Sequence, residues 1–175
     1  MGHLIVAQSI REMTSLDEIW FVISPQNPFK KNKNLLHEFD RLDMVKAAIE
    51  DNYRFRACDI EFNMPKPSYT IDTLVYLSEK HPQHHFELII GEDNLVKFHK
   101  WKNYEKILKD YGLIVYPRPF QGDVEKDYEE VTKVEAPKID ISATLIRQML
   151  KGGNEPRYLL PEKVLGLIQS RKYYQ

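Results

Sequence analysis

Four short stretches of the sequence gather residue types suited to holding phosphate or a sugar. The first is Gly2-His3, read as the head of a helix. Free backbone N–H groups and the helix dipole favour an anion there, and an imidazole in the first turn adds a donor. The second is the lysine set Lys30, Lys31 and Lys33, which follows an apolar strand-like run and could steer a polyphosphate. The third is Ile89-Ile90-Gly91-Glu92-Asp93-Asn94. Its glycine admits close backbone approach, and a carboxylate just past a strand suits ribose hydroxyls. The fourth is Ile141-Ser142-Ala143-Thr144-Leu145-Ile146-Arg147. Ser142 is a natural N-cap, Thr144 adds a second hydroxyl beside free amides, and Arg147 lies one turn on, so together they form a phosphate cradle without glycine. Each stretch also has a plain structural reading: a stub, a solvated charge run, acids favoured by a helix dipole, and an ordinary N-cap. Trp101 reads either as a stacking platform for an aromatic ring or as a core residue.

These side chains need a scaffold, and the apolar pattern supplies one. Helices are expected over Leu4 to Met13, Leu35 to Asp51, Tyr69 to Lys80, Tyr104 to Tyr111, Ser142 to Lys151 and Pro161 to Arg171, with a short one after Gly91. Strands are expected over Glu18 to Ile23, Phe55 to Phe62, Phe86 to Ile90, Gly112 to Tyr116 and Val131 to Glu135. The first of these is apolar after Glu18 and reads as buried on both faces. Leu36, Phe39, Leu42, Met44, Val45 and Ala48 supply the stripe of the second helix. The stretch from Ser24 to Asn34, with two prolines, three asparagines and three lysines, is a loop. Strand and helix alternate through short connections, which calls for an α/β fold: a doubly wound, mostly parallel sheet with helices on both faces. The expected organisation is a single domain, with a core over residues 1–140 and a small C-terminal helical part over 141–175. In such sheets ligands bind beyond the carboxyl ends of strands, here after Ile23, Phe62, Ile90 and Tyr116.

Composition removes several alternatives. Lys+Arg 25 against Asp+Glu 26 gives a formal net charge of -1, which excludes a general polyanion binder and hence nucleic acid as a partner. Seven glycines admit neither G-x-G-x-x-G nor G-x-x-x-x-G-K-[ST]. The single cysteine, Cys58, excludes an internal disulfide and fits a reducing, cytoplasmic setting. His81, His84 and His85 match no usual ligand spacing, so no protein metal site is assigned. No apolar run approaches the roughly 20 residues of a membrane span. There is no G-x-S-x-G, and nothing supports a nucleophile on the protein.

Taken together, Pro67-Ser68-Tyr69-Thr70 with Thr73-Leu74, then Ile90-Gly91-Glu92-Asp93-Asn94-Leu95 running on to Trp101, then Ile141 to Arg147, resemble bacterial nicotinate-nucleotide adenylyltransferase. The order and approximate spacing match, and the resemblance covers essentially the whole chain. The last motif marks the wider nucleotidyltransferase superfamily, and the first two point to the nicotinate branch. The resemblance implies a Rossmann-like, nucleotide-binding transferase of NAD biosynthesis that joins ATP and nicotinate mononucleotide, with Mg²⁺ carried mainly on the ATP phosphates. It implies catalytic roles for His3 and Arg147. It implies ATP contacts from Gly2, His3, Lys30, Gly91, Asp93, Ile141, Ser142, Thr144 and Arg147, with Gly91 and Asp93 around the ribose. Tyr69, Thr70 and Trp101 would form the nicotinate side, with Trp101 against the pyridine ring.

The family pattern opens with a strand and a G-G-[ST]-F-x-P-x-H loop, whose last histidine begins H-x-G-H. Here Met1 stands at the variable position between the two histidines, so the expectation is an internal methionine read as the start, or a truncated chain. A chain truly beginning here would lack its middle strand and bind ATP poorly. Two further readings stay open at this point. One is the sister pantetheine-phosphate adenylyltransferase, which shares the ATP half but should lack P-S-Y-T and Trp101. The other is a nucleotide-binding remnant without turnover. Oligomeric state, a homo-oligomer included, is not legible in the sequence.

Overall fold

The structure of the chain is a computed structural model that describes residues 1–25, 35–118, 128 and 130–174. These fall into two compact units. One is formed by Met1–Ile23, Leu36–Cys58 and Ile139–Gln175, the other by Ser24–Leu35 and Asp59–Lys138.

In the first unit, helix α1 (Gly2–Met13) buries Ala7 and Ile10. It stops at Thr14, whose hydroxyl donates to the Ile10 carbonyl at 2.8 Å. Strand β1 (Ile19–Val22) pairs in parallel with β2 (Phe55–Cys58), Ile19 opposite Phe55 and Val22 opposite Cys58. Helix α2 (Glu38–Ile49) joins them, so the segment is a strand–helix–strand crossover. The C-terminal helices α6 (Ala143–Lys151) and α7 (Glu162–Ser170) complete the unit. Past α7, Arg171 reaches Asp43 at 2.8 Å and Asp40 at 3.4 Å, and the Tyr173 hydroxyl donates to Asp40 at 2.6 Å, tying the chain end to the outer face of α2.

The second unit runs through a 3-10 turn (Ile60–Asn63), α3 (Thr70–Lys80), β3 (Leu88–Gly91), α4 (Glu92–Leu95), a second 3-10 turn (Phe98–Lys100), α5 (Tyr104–Tyr111), β4 (Leu113–Tyr116) and β5 (Val131–Lys133). The three strands form one parallel ladder in the order β3-β4-β5, with Gly91 opposite Tyr116 and Leu113 opposite Val131. Ile71, Leu74, Ile90, Leu95, Phe98, Ile107, Leu108, Leu113 and Val115 form its core, and Phe98 and Ile107 are completely enclosed. Helix α5 gives way to β4 at Gly112, whose φ of 76° is the left-handed geometry that favours glycine at a helix end.

The parallel pairings and strand–helix alternation agree with the expected α/β class. Four local expectations are corrected. Phe55 to Phe62 is a strand only as far as Cys58. Ile60, Glu61 and Met64 all point inward, a spacing that suits a helical turn and breaks the alternation of a strand. The second helix begins at Glu38, because His37 is extended (φ -53°, ψ 145°) and its ring accepts from the Phe39 amide at 3.5 Å. Phe39, expected in the buried stripe, is exposed in the first turn and stacks on His37 with ring centres 5.5 Å apart. Strand β1 is not sealed on both faces, since Trp20, Phe21 and Val22 are only half-buried. Trp20 has the Arg56 guanidinium over its ring at 5.3 Å, and its indole donates to Glu18 at 3.0 Å, so an amphipathic cover replaces an apolar one.

Candidate active site

The candidate residues separate into two groups, one in each unit. In the first unit, Gly2 opens α1 and His3 follows in its first turn, exposed. A Cβ on Gly2 would lie 3.7 Å from Ile139 Cγ2 and 3.9 Å from the Ile141 carbonyl. This is ordinary contact, and it brings the start of α1 against the segment that leads into α6. The Ser142 hydroxyl caps α6 by accepting from the Leu145 amide at 3.1 Å. A hydroxyl that accepts in this way still has its proton to donate. One turn on, Arg147 donates to the Thr144 hydroxyl at 3.3 Å. Ser142, Thr144 and Arg147 are all exposed. The start of α6 therefore presents two hydroxyls, unsatisfied first-turn amides and a guanidinium to solvent on one turn of helix, as a phosphate site requires. The Arg147 charge also lies near Tyr174, whose phenol burial pushes up, while Arg147 and Arg41 pull it back down.

In the second unit, the carboxyl ends of β3 and β4 gather a second group. Gly91 is buried with a φ of -79°, so its backbone does not demand glycine, but its surroundings do. A Cβ there would lie 2.5 Å from Asp93 Oδ1, 3.2 Å from Tyr116 Cζ and 3.3 Å from Arg118 Cδ. Arg118 holds this corner together. Its backbone N–H donates to Glu92 at 3.3 Å, and its guanidinium donates to Asp93 at 3.3 Å. Burial raises the Tyr116 phenol above its ordinary range, and the Arg118 charge opposes that rise. Tyr116 is accordingly a neutral hydroxyl at pH 7. The sequence reading passed over Arg118. Its signal in the sequence is a cation two residues beyond a strand's carboxyl end, set between Pro117 and Pro119.

Tyr69, Thr70 and Trp101 belong to the same unit. Tyr69 precedes α3 and Thr70 is its first residue. Trp101 is half-buried, packing on Phe98 with ring centres 5.4 Å apart. One part of the indole therefore meets the core and the rest is accessible. Lys102 links it to α3, pairing with Asp72 at 2.8 Å and standing 4.8 Å from the centre of the Tyr69 ring. Lys30, with Lys31 and Lys33, lies outside the described residues.

The cytidylyltransferase-like family matches residues 1–149. A probable nicotinate-nucleotide adenylyltransferase of Cytophaga hutchinsonii is 58% identical over 175 residues, covering 99% of this chain and 91% of that protein. A probable nicotinate-nucleotide adenylyltransferase of Flavobacterium johnsoniae is 45% identical, covering 100% of this chain and 92% of its own length. Among solved structures, the nicotinic acid mononucleotide adenylyltransferase of Plasmodium falciparum complexed with NaAD superposes with a TM-score of 0.75. It is 20% identical and covers 99% of this chain and 89% of that one, a likeness of fold that agrees with the Rossmann-like expectation.

Proposed function

The chain belongs to the cytidylyltransferase-like family and, within it, to the nicotinate-nucleotide adenylyltransferases, and from that membership we propose how its residues carry out the reaction. The protein transfers the adenylyl group of ATP to nicotinate mononucleotide, giving nicotinate adenine dinucleotide and pyrophosphate, a step of NAD biosynthesis. An oxygen of the mononucleotide's 5′-phosphate attacks the α-phosphorus of ATP. A new P–O bond forms as the bond to the bridging oxygen breaks, and pyrophosphate leaves with the electron pair. No covalent enzyme intermediate is needed, so positioning and charge stabilisation carry the catalysis.

The observation that carries the residue assignment is the start of α6, with Ser142, Thr144 and Arg147 exposed on one turn. These three hold the β- and γ-phosphates, and Arg147 balances the charge that grows on departing pyrophosphate. His3, in the first turn of α1, donates to the same phosphates, with Gly2 and Ile141 lining the approach. Gly91 and Asp93 meet the ribose of ATP, and Arg118 keeps the Asp93 carboxylate in place for it. Tyr69, Thr70 and Trp101 receive the nicotinate ring.

In this reading Mg²⁺ would be carried mainly on the phosphates of ATP. Among the described residues no group of three or more His, Cys, Asp or Glu is placed to hold a metal ion. When bound, the ion offsets phosphate charge. Among the described residues no helix is long and apolar enough to cross a membrane. A cytoplasmic setting belongs to the proposal, supported by the sequence's having one cysteine, Cys58, and so no internal disulfide; self-association would be read by sedimentation velocity.

Arg147→Ala tests the assignment. Steady-state kinetics should show kcat/KM for ATP lowered about 10²-fold, the usual cost of losing one charge-stabilising donor. Near-normal kinetics would remove Arg147 from the site.

A further inference from the structure

Among the described residues, three polar or charged side chains are buried: Glu61, Ser68 and Thr73. Ser68 and Thr73 are both bonded to Glu61. Ser68 donates its hydroxyl proton to Glu61 Oε2 at 2.7 Å, and Thr73 donates to Oε1 at 2.8 Å. The Thr73 hydroxyl also stands 3.3 Å from the Tyr69 carbonyl, but its one proton goes to the nearer carboxylate, and that carbonyl is served by the Thr73 amide at 3.0 Å. A single carboxylate thus grips the chain on both sides of Tyr69-Thr70, once in the loop before α3 and once in its first turn.

Such an arrangement is a poor way to gain stability alone. Burying a carboxylate is costly, and well-packed apolar side chains of similar volume commonly do as well or better. What a fully satisfied polar cluster adds is a unique geometry. That geometry extends outward. Asp72, between Thr70 and Thr73, takes the Lys102 ammonium at 2.8 Å, and Lys102 follows Trp101 directly and stands over the Tyr69 ring. The three residues of the nicotinate side are therefore referred to one internal frame.

We propose that Glu61 is a positioning residue for the acceptor nucleotide: through Ser68 and Thr73 it fixes Tyr69 and Thr70, and with them the pocket for the aromatic ring of the mononucleotide. Glu61 itself lies behind this segment, and its two oxygens are each taken by a hydroxyl. The proposal rests on the adenylyl-transfer reading for the identity of the ligand, but not for the anchoring.

Two measurements on Glu61→Ala and Glu61→Gln test it. Glu61→Ala should raise KM for nicotinate mononucleotide about tenfold, the scale of one to two lost buried hydrogen bonds, and leave KM for ATP within about twofold. Glu61→Gln keeps an acceptor and the side-chain volume, and should recover most of the loss. Equal rises in both KM values, or an unchanged KM for the mononucleotide, would overturn the proposal. If Glu61→Ala does not fold, Ser68→Ala and Thr73→Val each remove one arm of the grip and should show the same split to a smaller degree; no split in either overturns it. Hydrogen exchange of the amides from Met64 to Thr73, measured without substrate, separates the anchoring from the reaction. Exchange should quicken in Glu61→Ala, and unchanged exchange refutes the anchoring whether or not the wild-type protein turns over. A wild-type protein that makes no dinucleotide refutes the reaction and with it the pocket role.

Discussion

Gly91 shows how a residue can be required for reasons that its own backbone does not reveal. Its φ of -79° suits any residue, yet a Cβ would meet the Asp93 carboxylate at 2.5 Å. Gly91→Ala should therefore leave the β3-β4 ladder intact and push the Asp93 side chain out of reach of Arg118. The expected outcome is an ATP KM raised about tenfold or more, the scale of a lost charge-assisted hydrogen bond, with melting temperature changed by only a few degrees. Unaltered ATP affinity would detach Gly91 and Asp93 from the nucleotide. The glycine was legible in the sequence because it follows an apolar run; Arg118 and Glu61 were not. Arg118 sits among prolines, and its partner is 25 residues away in the chain. Glu61 sits in a stretch that reads as an alternating strand, and only the inward turn of Ile60–Asn63 makes its carboxylate a buried one.

At the scale of elements, the helix that carries the clearest motif, α6, is also the easiest to perturb selectively. Ser142 caps the helix through the Leu145 amide, and in the proposal its hydroxyl also donates to the ATP phosphates. Ser142→Asp separates them, since aspartate is as good an N-cap as serine. Thermal unfolding should stay within about 0.5 kcal/mol of wild type, the usual spread for an exposed substitution. KM for ATP should rise more than about tenfold, because like charges then face each other across the contact. An unchanged KM would mean that Ser142 is a cap and nothing more. Elements such as Tyr104–Tyr111, bounded by Asn103 and Gly112, were readable to the residue, because a dense apolar period and a glycine stop leave little choice. Strand β1 was harder. Its Ile-Trp-Phe-Val run carries no sign that Arg56 and Glu18, from outside the strand, would supply an amphipathic cover.

At the scale of the molecule, the parallel pairing of both ladders follows from strand–helix alternation, and that much composition and periodicity could supply. The reaction could not be reached in that way. It rests on three motifs in a fixed order and on relatives 58% and 45% identical over the whole chain. Geometry then adds what motifs omit: an exposed hydroxyl–guanidinium turn at the start of α6, an arginine bonded to Asp93, and a buried carboxylate bonded on either side of Tyr69-Thr70. That the acceptor of the adenylyl group is nicotinate mononucleotide is open to direct test. Incubating the purified protein with ATP, Mg²⁺ and each acceptor in turn, with products separated by chromatography, addresses it directly. Nicotinate mononucleotide should give pyrophosphate and nicotinate adenine dinucleotide in equal amounts, and phosphopantetheine should give neither above background. Pyrophosphate release with phosphopantetheine but not with nicotinate mononucleotide, or ATP binding with no pyrophosphate from either acceptor, would contradict the account.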